Sequence, residues 1–249
     1  MTQYAKIARK YSDGTRMEHP QRKYLLYPTW LNVCGNIHGV KVLDVGCGGG
    51  DSSRLLAEKG AQVLGIDKEM KLLRFALQSE QKHPLGIKYQ GAEAEYLQLF
   101  LAGETFDLIA PTYLLHYAKS KKNLSKMISS MFNLLNPGGR IIAILSDPEK
   151  PVIDYYPGLC TEVRWVKNSW KEGSELMAIY RDGQGNEILR FKDFYWWKKE
   201  TYESILKKAG FTGIRWIKPR MNQEGKKLFP NWKKLEDYPI TIISAHKKL

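Results

Sequence analysis

Cysteine is scarce: Cys34, Cys47 and Cys160 are the only three in 249 residues. Their count is odd and no pair has C-x-x-C spacing, so neither a disulfide framework nor a thiolate metal site is expected. Long apolar runs are missing as well. No window approaches the roughly 18 uninterrupted apolar residues of a membrane span, and the first stretch, MTQYAKIARKYSDG, lacks the apolar segment of a secretory signal. A cytoplasmic protein without membrane contact is the expectation. Acidic residues are outnumbered, 26 against 39 basic, for a formal charge of +13. Clustered Lys and Arg would signal a polyanion partner, but the excess is spread thinly. Residues 1–40 hold 6 basic and 2 acidic residues, 41–146 hold 13 and 10, and 147–249 hold 20 and 14. Nucleic acid is therefore not the expected partner. A small molecule is, with the chain acting as monomer or homodimer.

From residue 41 short apolar runs alternate with amphipathic segments of helix length. KVLDV is followed by a helix over 51–59, AQVLGID by a helix over 68–79, IKYQ by a short helix near 94–100, FDLIA by a helix over 120–135, and then comes RIIAIL. Five strands separated by helices predict βαβ units, a doubly wound α/β fold with a mostly parallel sheet. After Asp147 the texture changes. VRWVKN, ELMAIYRD and ILRFKDFYWW read as strands, with a DGQG turn at 182–185 joining two hairpin arms, and predict an antiparallel flap inserted after strand five. A helix closing at Gly210 and two final strands, TGIRWIK and ITIISAH, complete the chain. The reading is one domain: an N-terminal helical cap (1–40), a core (41–146), the flap (147–197) and a C-terminal helix with two strands (198–249).

The core opens on VLDVGCGGGDSS, residues 42–53. A bare glycine turn between strand and helix lets backbone approach a ligand and points helix N–H groups at it. The dinucleotide fingerprint G-x-G-x-x-G, begun at Gly46, would need glycine at 51, where this chain has Asp. A carboxylate about 4 Å from a pyrophosphate charge repels it by about 4 kcal/mol at an effective dielectric near 20. No Lys-Ser/Thr pair follows the glycines, so a P-loop is excluded too. What fits is D-x-G-x-G-x-G, as Asp44, Gly46, Gly48 and Gly50, with Asp67 ending the next strand 21 residues after Gly46. Asp67 suits two ribose hydroxyls and Asp44 an ammonium group, a pattern for a cationic nucleoside.

These residues resemble motif I and the following acid of class I S-adenosylmethionine-dependent methyltransferases. GAEAEYL (91–97) is similar to that family's adenine-recognising segment, FDLIAPTYLLHYA (106–118) to the motif after strand four, and LLNPGGRIIAI (134–144) to the element closing the core. The resemblance implies a seven-stranded Rossmann-like sheet and S-adenosyl-L-methionine as cofactor. It implies roles for Glu93 and Ala94 at the adenine, and for Tyr4 and Arg22 at the methionine end. Cys47, Lys68, Glu95, Pro111 and Thr112 complete the cofactor set it implies. Further stretches, RKYLLYPTW (22–30), PLGIKYQGAE (84–93), YLLHYAKSK (113–121) and FYWWKKETYESILKKAGFTGIRW (194–216), resemble the small-molecule branch that includes toxoflavin-type N-methyltransferases, enzymes acting on fused heteroaromatic rings. That branch has Asn at the position of His116.

Methyl transfer from a sulfonium needs mainly alignment, plus removal of a proton where the acceptor has one to lose. His116 is the candidate base. APTY (110–113) lacks the side-chain oxygen with which amide-nitrogen methyltransferases hold their target, which counts against adenine or glutamine amides. SDPE (146–149) reads as a turn with a helix cap, so no metal is expected. Tyr11, Tyr113, Trp165, Tyr195, Trp196 and Trp197 are the candidate acceptor-binding aromatics, although alternation along a strand sends half of any such run to the core. The expected activity is transfer to nitrogen or oxygen of a small heteroaromatic molecule. An RNA or protein acceptor, and a non-catalytic cofactor-binding protein of the same fold, are the alternatives.

Overall fold

The structure, a computed structural model, describes residues 19–154, 161–167, 170–182 and 184–249. Tyr4 and Tyr11 lie outside the described residues. Among the described residues ten strands form two sheets: β1 (Lys41–Val45), β2 (Gln62–Asp67), β3 (Lys88–Gly91), β4 (Phe106–Ile109), β5 (Leu135–Ser146), β6 (Thr161–Trp165), β7 (Glu175–Arg181), β8 (Glu187–Tyr195), β9 (Phe211–Ile217) and β10 (Ile240–Lys247). Seven of them make one sheet in the order β3-β2-β1-β4-β5-β10-β9, and β6-β7-β8 make the other. In the large sheet β10 runs against both neighbours, while β1 through β5 pair in parallel.

Helices fall where apolar spacing predicts them. They are α1 (Tyr27–Cys34), which continues a π-helical turn over Gln21–Leu26, α2 (Asp51–Glu58), α3 (Met70–Lys82), α4 (Leu97–Phe100), α5 (Lys121–Asn133) and α6 (Lys199–Ala209). Helix α5 buries Leu124, Met127, Ile128 and Met131, an i, i+3, i+4, i+7 stripe, and Ser120 caps it by accepting the Asn123 N–H at 3.1 Å. It ends at Asn133 and not at 135, because Leu135 already pairs with Phe106 as the first residue of β5. Two short helices, α7 (Gln223–Leu228) and α8 (Trp232–Leu235), bridge β9 and β10.

Each face of the large sheet packs its own core. Alternate residues of β5 point opposite ways: Ile141, Ala143 and Leu145 join the cluster containing α5 and α6, whereas Ile142 and Ile144 join the cluster built on Leu25, Leu26, Trp30 and Leu56. Burying each such large side chain contributes about 1.5–3 kcal/mol. The small sheet has its own cluster of Val163, Leu176 and Phe194, packed against Tyr117 and Ile153. Strand order reverses between β1 and β4, and a doubly wound sheet opens its binding crevice at the carboxyl ends of the strands there.

Candidate active site

The turn after β1 rises through Gly46, Gly48 and Gly50, all with positive φ (76°, 55° and 89°), and delivers the chain into α2. At Gly50 the requirement is strict. A Cβ there would lie 2.5 Å from the Tyr89 hydroxyl and 3.1 Å from the Ala76 Cβ, besides forcing an L side chain into the left-handed region. Asp67, at the end of β2, accepts the Gly48 N–H through Oδ2 at 2.9 Å and the Glu69 N–H through Oδ1 at 2.8 Å. Each oxygen keeps a second lone pair. Burial raises the Asp67 pKa above the usual carboxylate range, and its two backbone hydrogen bonds work against that rise.

Asp44 lies beneath the turn, fully buried, with Oδ2 accepting the hydroxyls of Ser52 and Ser53, each at 2.6 Å. Its Oδ1 has no partner among the described residues. Burial pushes its pKa up to about 6 despite the two serine hydrogen bonds.

Above the turn is a cavity of about 500 Å³, lined by the glycine turn, the ends of β2 and β3, the segment after β4 and α5. Among the described residues its wall carries five carboxylates, Asp51, Asp67, Glu69, Glu95 and Asp193, against two lysines, Lys68 and Lys119. In a chain of formal charge +13 this wall is thus acidic on balance. An acidic wall favours a cation and opposes a phosphate.

Of the expected cofactor residues, Gly46, Cys47, Gly48, Asp67, Lys68, Ala94, Glu95 and Thr112 meet on this wall. Thr112 donates its hydroxyl to Ser52 at 3.1 Å, tying the segment after β4 to α2. Asp44 and Gly50 support the turn from behind. Pro111 accepts the Ile144 N–H at 3.1 Å and is not on the wall. Glu93 is exposed and is not on the wall, whereas Glu95, two residues on, lines the cavity. Asp193, Leu72 and Met127 complete the wall without a motif to announce them.

A second, smaller chamber of about 50 Å³ adjoins the first, and Tyr113 and Tyr117 line both. Tyr113 holds a left-handed backbone conformation, φ 55°, that few non-glycine residues adopt. Arg22 is buried in this second wall, with its guanidinium 4.9 Å from the Tyr113 ring centroid and donating to the Tyr180 hydroxyl at 3.4 Å. His116 is buried there as well, and its Nδ1 accepts the Ser146 N–H at 3.2 Å. Burial lowers its pKa to about 3. With Nδ1 accepting, the neutral ring carries its proton on Nε2.

Of the described acceptor-binding candidates, Trp165, Tyr195, Trp196 and Trp197 line neither space. Trp196 donates its indole N–H to the Pro148 carbonyl at 2.9 Å, and Trp197 donates to Ala118 at 3.1 Å. Trp165 packs against Trp170 and Trp196, and Tyr195 against the main core. Phe191, Phe194 and Tyr180 line the chamber in their place. A bulge in β8 accounts for the two phenylalanines: Leu176 pairs with Phe194 but Ala178 with Phe191, so two steps on β7 match three on β8, and Asp193 takes φ 64°. The extra residue brings Phe191 and Phe194, three apart, to the same face.

A family described as "Methyltransferase domain" matches residues 37–210, and the chain belongs to that family. Among curated relatives it is 33% identical over 112 residues to the ubiquinone biosynthesis O-methyltransferase of Pseudomonas fluorescens (strain SBW25), covering 45% of this chain and 47% of that protein. To the enzyme of the same name from Acinetobacter baylyi it is 34% identical over 114 residues, 45% of this chain and 46% of that protein. The chain thus spans about half the length of the curated relatives it matches. Its fold is similar to that of S-adenosylmethionine-dependent methyltransferases from Mesorhizobium loti (TM-score 0.63, 20% identity, 92% of this chain and 98% of that one) and Clostridium acetobutylicum (TM-score 0.65, 17% identity, all of both chains). It is also similar to that of CalS10, an amino pentose methyltransferase of Micromonospora echinaspora solved with S-adenosylmethionine bound (TM-score 0.57, 18% identity, 89% and 91%).

Proposed function

We propose that the protein transfers a methyl group from S-adenosyl-L-methionine to nitrogen or oxygen of a small, planar, heteroaromatic acceptor. One observation carries this reading: the glycine turn and Asp67 form a hydrogen-bonded unit at the mouth of an acidic cavity within a basic protein. The fit to the cofactor is good. Asp67 would take the ribose hydroxyls on its remaining lone pairs, and Ala94 with Glu95 would hold the adenine. The turn backbone at Gly46–Gly48, with the orphaned Oδ1 of Asp44 behind it, would face the cationic methionine end. When bound, the cofactor supplies an electrophilic methyl on sulfur, which leaves with the bond's electrons staying on that sulfur.

The chain's own residues then position and enclose. Tyr113 and Tyr117 stand between the two spaces and would fix the direction from which an acceptor approaches. Neutral His116 would hold a lone pair of the acceptor through Nε2–H, so the acceptor gives up any proton to solvent. The names of the curated relatives, O-methyltransferases of ubiquinone biosynthesis, favour a small molecule over a polymer. The test is a filter assay with tritiated donor on separate metabolite, RNA and protein pools. Label in the metabolite pool alone supports the reading. Label in RNA or protein replaces it, and cofactor binding with no label anywhere points to a binding protein.

A further inference from the structure

We infer that the acceptor carries a negatively charged oxygen and that the smaller chamber is built to hold it. The inference rests on the methyltransferase reading for the word "acceptor", but the chamber's chemistry is its own. The two adjoining spaces differ in sign. Five carboxylates line the larger one, whereas the described wall of the smaller one contains a single formally charged side chain, Arg22, and no Asp, Glu or Lys.

The other polar groups of this chamber are suited to donate. The Tyr113 hydroxyl is buried with no partner among the described residues. The Nδ1 of His116 is occupied by the Ser146 N–H, which leaves Nε2–H as that ring's polar atom. Tyr180, which takes a hydrogen bond from Arg22, adds a further hydroxyl, and Phe191 and Phe194 supply apolar ring faces. A guanidinium and oriented hydroxyls in low-dielectric surroundings match an oxyanion and penalise a cation. The left-handed backbone at Tyr113 keeps its ring on the partition between the two spaces, and such strain persists at sites that use the geometry it creates.

Size refines the assignment. About 50 Å³ takes a head group such as a carboxylate or a phenolate oxygen, and not a fused bicycle, so the rest of the acceptor must extend past Tyr113 and Tyr117 toward the larger cavity. An anion on one side and a cationic donor on the other attract one another across the partition.

The probes are benzoate, 4-nitrophenolate, benzamide and benzylammonium, similar in bulk and different in charge, titrated calorimetrically into the protein with and without saturating S-adenosylhomocysteine. Benzoate, nitrophenolate or both should bind about 10-fold or more tightly than benzamide, with benzylammonium weakest, and the better of the two anions tells carboxylate from phenolate. Arg22→Gln should bring benzoate and benzamide to within about 2-fold of each other. Should that variant not fold, the series on the unaltered protein decides alone. Benzamide or benzylammonium binding as well as both anions overturns the inference. Failure to bind S-adenosylhomocysteine is a separate result that overturns the methyltransferase reading, and the titrations without it still report the charge preference.

Discussion

The Oδ2 of Asp67, on the last residue of β2, accepts the backbone N–H of Gly48 at 2.9 Å, so an acid on the cavity wall also fixes the glycine turn beside it. Replacing Asp67 removes two functions at once. Charge-assisted hydrogen bonds contribute about 1.5–3 kcal/mol each, and Asp67→Ala should weaken S-adenosylmethionine binding by about 10- to 100-fold in a calorimetric titration. Unchanged affinity would take Asp67 out of the site.

Gly50 tests whether the turn must be bare. Gly50→Ala places a methyl 2.5 Å from the Tyr89 hydroxyl at φ 89°, and should lower stability by about 1–3 kcal/mol, read as a fall in thermal midpoint. Adding Tyr89→Phe deletes the nearest clashing atom and should recover part of the loss. An alanine variant as stable as the parent would mean the turn relaxes freely.

How much of this was legible in the sequence differs from element to element. The order of strands and helices through Ser146 follows from apolar periodicity, and D-x-G-x-G-x-G with Asp67 is local in sequence, which is why both could be read directly. The acceptor-side wall could not. Alternation along ILRFKDFYWW puts Phe191 and Phe194 on opposite faces, but the bulge at Asp193 brings them to the same one, and no turn signature in KDF announces it. Arg22 and Tyr238 join Tyr180 only through tertiary packing, Arg22 across 158 residues of chain. In the segment after β3, Glu93 and Glu95 are equally acidic in sequence, and of the two only Glu95, within the short helical turn over Ala94–Tyr96, lines the cavity.

Asp44 makes stability depend on pH with an unusual sign. Its carboxyl titrates at about 6 in the fold against 3.8 in the ordinary case, so the folded state binds its proton more tightly than the unfolded chain does. Its contribution is complete below about pH 4 and is lost as pH rises through about 6, an amount on the order of 3 kcal/mol at about 1.4 kcal/mol per pKa unit. Urea unfolding of the parent and of Asp44→Asn across this range should show the parent losing stability relative to the variant as pH rises. Parallel curves would mean the carboxyl is not perturbed.

His116 slopes the other way. Its pKa of about 3 lies below the ordinary 6.5, so the unfolded chain binds the proton first and the parent loses stability as pH falls from about 6.5 toward 3. His116→Asn should flatten that acid limb in the same urea series. Methyl transfer by the parent should show no limb near 6.5, since the ring stays neutral throughout. A limb there that vanishes in His116→Asn would restore the histidine as a base.

The central claim is that the turn and its acidic cavity hold a cationic nucleoside sulfonium and reject phosphate-bearing dinucleotides. Calorimetric titration of the unaltered protein with S-adenosylmethionine and, separately, with NAD tests it most directly. Saturable one-site binding of the first and none of the second is the predicted result; NAD binding with no uptake of S-adenosylmethionine would contradict it.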